Sequence, residues 1–337
     1  MTAAQHPAEH QPHVRHDPVT GRPVFVAPQR GGKPDDRALL EQRGGTGDPH
    51  DWCPFCAGNE HRTPADVGRT PDDPAVPWRA RIVPNAFPIA TTAPGGTPDR
   101  SPRRAAGVHD VVIESRSHER SILGIDAADW RAVWSLCRRR LEAVAALPDV
   151  TWTTVFKNSG HRAGASLEHV HSQLVGLDLV PPAIEAEMAA VERDPATFPG
   201  LIDQARRDRR IVAELAGLVA LVPPAPRQPY ETWIVTDRAE PHFHRAQAAQ
   251  VEALADLTRN LVGRLERLAP QCHYNWWLHQ APLRGERAAD RTLDAWHWHL
   301  EIMPRLAELA GFEVGTGCHI TTITAEESAL RLRSQLA

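Results

Sequence analysis

No charge of one sign dominates this chain: its 337 residues carry 38 Lys and Arg against 42 Asp and Glu, a formal net charge of −4. That balance, with no long basic stripe, argues against a nucleic-acid or membrane-surface partner but leaves room for a local basic pocket. Long apolar runs are missing too. No uninterrupted stretch of about 18 apolar residues occurs, so no membrane span is expected. The first thirty residues lack the apolar core of a signal peptide, and the cytoplasm is the expected location. Cysteine is scarce, with five residues, an odd number without disulfide-framework spacing. Thiols and metal ligands are therefore the expected roles. Proline, by contrast, is abundant at 30 residues, which favours loops and segment breaks over a helical bundle.

Residues 1 to about 13 are polar and read as a disordered tail. Asp17-Pro-Val-Thr-Gly21 and Val24-Phe-Val26 predict a turn and a short strand. Strands are expected over Ala80–Ala86, His109–Ser115 and Thr151–Asn158. Trp130, Val133, Trp134, Cys137, Leu141 and Val144 recur at helical spacing behind Asp126, a candidate N-cap. From Pro181 to about Ala216 the chain has helical tendency, interrupted by Pro195 and Pro199. Strands at Leu218–Val222 and Tyr230–Thr236 then precede an amphipathic helix over Ala246–Leu268, strands at Tyr274–Gln280 and Trp296–Met303, and a capping box at Thr324–Glu327.

A weak internal repeat runs through this order. In each half a helix of about twenty residues leads to a strand, a loop and a strand bearing His-x-His: His169-Val-His-Ser-Gln173 first, His297-Trp-His-Leu-Glu301 second. The expected fold class is α+β, a duplicated unit with mixed, mainly antiparallel sheet and flanking helices. The halves would cover 14–180 and 181–337.

Side-chain alternation puts His169, His171 and Gln173 on one strand face. Two such histidines can grip a cation or simply pack. Gln173 shifts the balance, because an amide is a poor zinc ligand and a good donor to a phosphoryl oxygen. The preceding Gly160-His-Arg-Ala-Gly-Ala-Ser166 offers backbone N–H groups and a hydroxyl for phosphate. A neutral imidazole, with an ordinary pKa of about 6.5, can attack phosphorus. Cys53-Pro-Phe-Cys56 is half of a zinc site, a redox pair or a coincidence.

Together these fragments resemble the galactose-1-phosphate uridylyltransferase branch of the histidine-triad superfamily. The resemblance covers Asp17–Gly21, Val26–Pro28 with Arg30, Cys53–Gly58, Asn85–Pro88, Asn158–Gly160, Gly164–Ser166, His169–Gln173, His279–Pro282, His297–Glu301 and Gly311–Glu313. It implies that His171 is the nucleophile, that Gln173 stabilises the phosphoryl oxygens, and that Ser166 contacts the leaving group's phosphate. Asn158, with Gly160 and Gly164, would hold the α-phosphate side, and Arg30, Asn85 and Phe87 the nucleoside. Cys53, Cys56, His118 and His169 would bind structural zinc, with His109 as a competing ligand. Glu187, His279, His297 and His299 resemble the family's second metal site, for iron or zinc, against the alternative of a histidine-rich core.

The implied reaction is ping-pong nucleotidyl transfer from a nucleotide sugar to a sugar phosphate or phosphate, first of all as a UDP-glucose:hexose-1-phosphate uridylyltransferase. The alternatives are an ADP-sugar phosphorylase, a hydrolase, or a zinc-stabilised nucleotide-binding protein without turnover. A homodimer is a further family expectation. Four departures bear on the substrate: Ala86 stands in place of an acidic residue, Val170 of proline and Lys157 of glutamate, and no Lys-Phe pair precedes Gly311. The Gly311–Ile320 segment resembles family members that are ADP-sugar phosphorylases.

Overall fold

A computed structural model describes residues 11–18, 20–32, 48–92, 103–284 and 291–335. Most of the expected tail, and of the Gly- and Pro-containing stretch Thr91–Arg104 that the sequence reads as a loop, therefore lies outside the described residues. His13, placed in the tail by the sequence, instead opens a strand. The strands are β1 (His13–His16), β2 (Pro23–Val26), β3 (Gly68–Thr70), β4 (Ala80–Pro84), β5 (Arg103–Arg104), β6 (Gly107–Ile113), β7 (Trp152–Ser159) and β8 (His171–Leu177). The second part of the chain adds β9 (Ile211–Leu215), β10 (Leu218–Leu221), β11 (Thr232–Thr236), β12 (Tyr274–His279) and β13 (His299–Pro304).

Ten of them form one sheet in the order β3-β4-β6-β8-β7-β12-β13-β11-β10-β9, and β1, β2 and β5 form a small second sheet. Every ladder in the large sheet is antiparallel. The order reads outward in the same way from the central β7–β12 pair. Gln173 pairs with Phe156, Phe156 with Trp277, and Trp277 with Glu301. The two His-x-His strands thus flank the join, three strand spacings or about 14 Å apart.

One face is covered by α1 (Ala127–Ala145) and α4 (Ala248–Leu268), and the other in part by α2 (Pro182–Arg193) and α3 (Thr197–Arg207). All six apolar positions predicted for α1 are buried. Asp126 occupies the N-cap position, but its side chain makes no capping hydrogen bond. Trp130, Trp134, Trp276 and Trp298 fill the core beneath α1 and α4, and Trp130 Nε1 donates to Thr258 Oγ1 at 3.0 Å, tying the two helices together. No helix among the described residues is long and apolar enough to cross a membrane.

The helical tendency predicted to Ala216 ends early. Pro199 fits inside the first turn of α3, where its missing N–H has no carbonyl to meet. Ile211–Leu215 is strand β9, paired with β10 across a two-residue turn at Ala216 and Gly217. Both turn residues have positive φ, +45° and +79°, the requirement of a type I′ hairpin. Ala216 hid this turn, because alanine rarely adopts that conformation.

Lys157 is buried on the helix-covered face of β7. Its Nζ donates to Glu114 Oε2 at 2.5 Å and to the His171 carbonyl at 2.9 Å, while Ser172 Oγ donates to Glu114 Oε1. Burial disfavours the lysine's charge and lowers its pKa, with the Glu114 carboxylate opposing that shift. Lys157→Met should cost roughly 3–5 kcal/mol in urea unfolding, because Glu114 is left buried without its cation. Lys157→Met combined with Glu114→Gln should recover most of that loss, and a single variant within about 0.5 kcal/mol of the parent would refute the pairing.

Candidate active site

The open face of the sheet gathers the chemistry. Because β6 pairs with β8 and β7, in turn, with β8, the residues His109, Val111, His171 and Gln173 all project from this face, while Val112 and Leu174 point into the helix-covered core. Regular alternation begins only at His171. His169 lies in a bend before β8, where the Val170 N–H donates to the Glu119 carbonyl at 2.7 Å. The bend turns the His169 ring toward the two cysteines and its carbonyl toward the His171 ring.

That carbonyl sits 2.7 Å from His171 Nδ1. A carbonyl only accepts, so Nδ1 carries the proton and Nε2 keeps its lone pair. Phe55 packs edge-on against both His169 and His171, at 5.8 and 5.4 Å between ring centres. One cavity is lined by His171, Gln173, Ser166, Asn85 and Phe87, together with Phe55, Arg62 and Thr63. Ser166 Oγ is buried there without a hydrogen-bond partner among the described residues. An unpaired buried hydroxyl is costly unless a ligand meets it.

The remaining predicted binding residues, Arg30, Asn158, Gly160 and Gly164, are not in the lining of this cavity. Arg30 Nη1 donates to the Phe87 carbonyl at 2.8 Å, and the Phe87 N–H donates to Asn85 Oδ1, so Arg30 braces the Asn85–Phe87 segment from behind. Asn158 lies outside the cavity lining. Its Oδ1 accepts from Asn275 Nδ2, which also holds the Ala163 carbonyl, both at 2.8 Å. Gly160 and Gly164 turn the loop between β7 and β8 with φ of +82° and +84°, and a Cβ at Gly160 would lie 2.2 Å from the His273 ring. Glycine is required there by backbone and by space.

Cys53, Cys56, His118 and His169 present one ligand atom each, all within 4.8 Å of one another. Cys53 Sγ lies 3.5 Å from His169 Nδ1, and Cys56 Sγ 3.6 Å from both His118 Nδ1 and His169 Nδ1. Tetrahedral zinc with bonds of about 2.3 Å to sulfur and 2.0–2.1 Å to nitrogen puts sulfur and nitrogen about 3.5 Å apart, so the donor set fits that ion. His169 Nε2 donates to the Ser115 carbonyl at 3.0 Å, which leaves Nδ1 as the ligating atom. Burial above all pushes the His169 pKa down to about 3, and it lowers that of His118 too. Both rings are thereby kept neutral, as metal ligation requires. His109 belongs to a different contact set and is not a member of this group.

The second group differs from the expected one. Glu187, His279, His299 and Glu301 come together, whereas His297 does not join them. Its Nδ1 instead donates to the Thr236 carbonyl at 2.7 Å, and its ring packs against Phe198. Glu301, which continues the alternation of β13, takes that place. Glu187 Oε1 lies 2.7 Å from His279 Nδ1, and Glu301 Oε1 is 3.7 Å from both His279 Nδ1 and His299 Nε2. His299 Nδ1 donates to the His297 carbonyl at 3.0 Å, which aims Nε2 into the group.

Burial works against a charged His299, yet Glu301 and Glu187 outweigh it and raise its pKa. Glu301 is held down to about 2, despite burial, by His299, His279 and Arg227. Two carboxylates at close quarters call for positive charge, and two imidazoles with two carboxylates suit a borderline divalent metal. Glu301 was legible from its phase with His299; its pairing with Arg227, which Glu231 shares, was not.

Sequence reasoning also missed His109 as a contact of Gln173 and Asn85, which line the cavity. Its Nδ1 accepts from the Ile89 N–H at 3.1 Å, while Nε2 lies 2.9 Å from Gln173 Oε1 and 3.0 Å from Asn85 Nδ2. The signal was the alternation of His109, Val111 and Ile113 along β6.

Comparison with known proteins places this geometry. The model of the galactose-1-phosphate uridyl transferase N-terminal domain matches residues 3–181, and that of a domain of unknown function, DUF4921, matches residues 136–337. An ADP-glucose phosphorylase of Arabidopsis thaliana is 30% identical over 96% of this chain and 92% of that protein. A galactose-1-phosphate uridylyltransferase of Thermotoga maritima is 23% identical over 95% of this chain and 97% of that one. Among solved structures, an ADP-glucose phosphorylase from Arabidopsis thaliana with bound ADP-glucose is similar at a TM-score of 0.75 and 28% identity, over 97% of this chain and 99% of that chain. A uridylyltransferase structure at 24% identity, covering 96% of this chain and 97% of its own, has the same fold, with a TM-score of 0.76.

Proposed function

Since the chain belongs to the galactose-1-phosphate uridylyltransferase family, alongside an ADP-glucose phosphorylase, we propose that it transfers a nucleotidyl group from a nucleotide sugar through a covalent bond to His171. The carrying observation is the His171 ring: Nδ1 donates to the His169 carbonyl, so the nucleophilic lone pair lies on Nε2, in a residue that lines a cavity with Gln173 and Ser166.

In the first half-reaction Nε2 attacks the α-phosphorus, the bond from phosphorus to the bridging oxygen breaks, and sugar 1-phosphate departs with the electron pair. The charge left on the imidazolium is stabilised by the His169 carbonyl. In the second, an oxygen of an acceptor phosphate attacks the same phosphorus and His171 regains its lone pair. Splitting the displacement in two lets one nucleophile serve both directions. Gln173 donates to the non-bridging oxygens as charge moves onto them, and Ser166 donates to the departing phosphate, so both act by electrostatic preorganisation. Asn85 and Phe87 hold the nucleoside, with Arg30 bracing them, and Asn158, Gly160 and Gly164 shape the phosphate side.

For the acceptor we read inorganic phosphate, with an ADP-sugar as donor. The support is the 30% identical phosphorylase and the absence of a Lys-Phe pair ahead of Gly311 for a hexose phosphate. Hexose 1-phosphate with UDP-glucose, the reaction first expected from the sequence, is the second reading. It is supported by the family match and the Thermotoga relative. Crossing ADP-glucose and UDP-glucose with phosphate and galactose 1-phosphate separates them. Release of ADP from ADP-glucose and phosphate should exceed every other combination, whereas dominant UDP-galactose formation would reverse the assignment.

We assign zinc to Cys53, Cys56, His118 and His169, where it fixes the bend that supplies the His171 partner. A second ion, zinc or iron, is proposed for Glu187, His279, His299 and Glu301. It would neutralise the two carboxylates and hold α2 to the sheet. Metal analysis of the purified protein should give about two ions per chain, and about one after His299→Ala. Two ions retained in that variant would show that the second group is not a ligand set.

A further inference from the structure

We propose that His109 is a positioning residue that fixes which end of the Gln173 carboxamide faces the substrate. The inference rests on the reading of His171 and Gln173 above, but its geometry stands by itself. A carboxamide has two faces of opposite polarity and nearly equal shape. If Gln173 were reversed, it would present a carbonyl oxygen to the phosphoryl group and repel it.

What decides the orientation is a short relay that starts from the backbone. The Ile89 N–H can only donate, and it lies 3.1 Å from His109 Nδ1, so that nitrogen must be the acceptor. The ring proton of a neutral imidazole then sits on Nε2. Nε2 is 2.9 Å from Gln173 Oε1, which therefore accepts from it. The Asn85 amide nitrogen lies 3.0 Å from the same atom, but it is itself a donor, so in this tautomer it makes no hydrogen bond to His109 and the Nε2 proton goes to Gln173. With Oε1 held, both N–H donors of Gln173 are left for the cavity that His171 also lines. His109 is buried and lies one strand away, on β6, outside that lining. It acts through Gln173 and not on the substrate. The relay also ties the Asn85–Ile89 segment, which the proposal gives to the nucleoside, to the group that stabilises the reacting phosphorus.

Two measurements test this. The first needs no turnover: 15N NMR of histidine-labelled full-length protein should show His109 as the Nε2–H tautomer, and the Nδ1–H tautomer would overturn the relay. The second follows the rate of nucleotidyl-enzyme formation in His109→Leu and His109→Gln, with melting temperature as the folding control. Leucine removes the donor, and the rate should fall by about 10²-fold, as when one stabilising donor is lost, with little change in nucleotide-sugar KM. Glutamine can still donate and should recover most of the rate.

In a Gln173→Ala background, His109→Leu should cost little more, since its effect passes through that amide. Equal losses in the leucine and glutamine variants, or additive losses with Gln173→Ala, would assign His109 a merely structural part. Should the unmodified protein form no nucleotidyl-enzyme, the reading of His171 falls, while the tautomer measurement still decides the relay.

Discussion

His171→Ala should lose nucleotidyl transfer by on the order of 10⁴-fold or more, with zinc content and melting temperature close to those of the parent protein. The size of the loss follows from the absence of any substitute: removing the nucleophile of a covalent mechanism leaves only substrate binding and charge stabilisation. The fold should tolerate the change because His171 Nδ1 donates to a backbone carbonyl, and the strand ladder of β8 does not depend on the ring. Activity within tenfold of the parent, measured with the donor and acceptor at saturation, would remove His171 from the mechanism.

Cys53→Ser should have the next largest effect, this time on stability and activity together. A closed zinc site contributes folding free energy, about 10 kcal/mol in isolated zinc peptides. Cys53, Trp52, Phe55 and Cys56 form a small core of their own with Val83, Val111, Ile113 and Leu167, and that core depends on the ligands for its position. Loss of one ligand should lower metal content by one ion and the melting temperature by about 10 °C or more. It should also slow formation of the nucleotidyl-enzyme, because the His169 carbonyl that orients His171 belongs to a ligand of the same ion. Unchanged metal content and melting in Cys53→Ser would show that the four residues do not form the site.

How much of this was legible in the sequence depends on whether the information is local. The apolar positions of α1, with Trp130, Trp134 and Leu141 at helical spacing, are a property of one segment, and they are buried as that spacing requires. The repeated His-x-His strands likewise locate the two chemical groups, and the sheet order places them symmetrically about β7 and β12. Gln173 and Glu301 could be read as equivalent positions from sequence alone, but what each does depends on its neighbours across the sheet. His109 turns Gln173 into an oriented donor, and Arg227 with His279 turns Glu301 into a charged member of the second group.

Departures from the sequence reading have physical causes. His169 leaves the strand because its backbone follows the bend that brings its ring to Cys53 and Cys56. His297 leaves the second group because its Nδ1 is taken by the Thr236 carbonyl of the neighbouring strand region. The β9 hairpin was hidden by Ala216, whose positive φ is set by the pairing of Leu215 with Leu218. In each case a long-range contact overrides a local preference, which a pattern along one segment does not register.

The central claim is a covalent nucleotidyl group on Nε2 of His171, and intact-protein mass spectrometry tests it most directly. The full-length protein is mixed with ADP-glucose, and separately with UDP-glucose, quenched without acid, and weighed. A mass increase of one nucleotidyl group is predicted with at least one donor, lost on acid treatment and mapped by peptide fragmentation to His171. Absence of any adduct with both donors, or an adduct that persists in His171→Ala, would contradict the account.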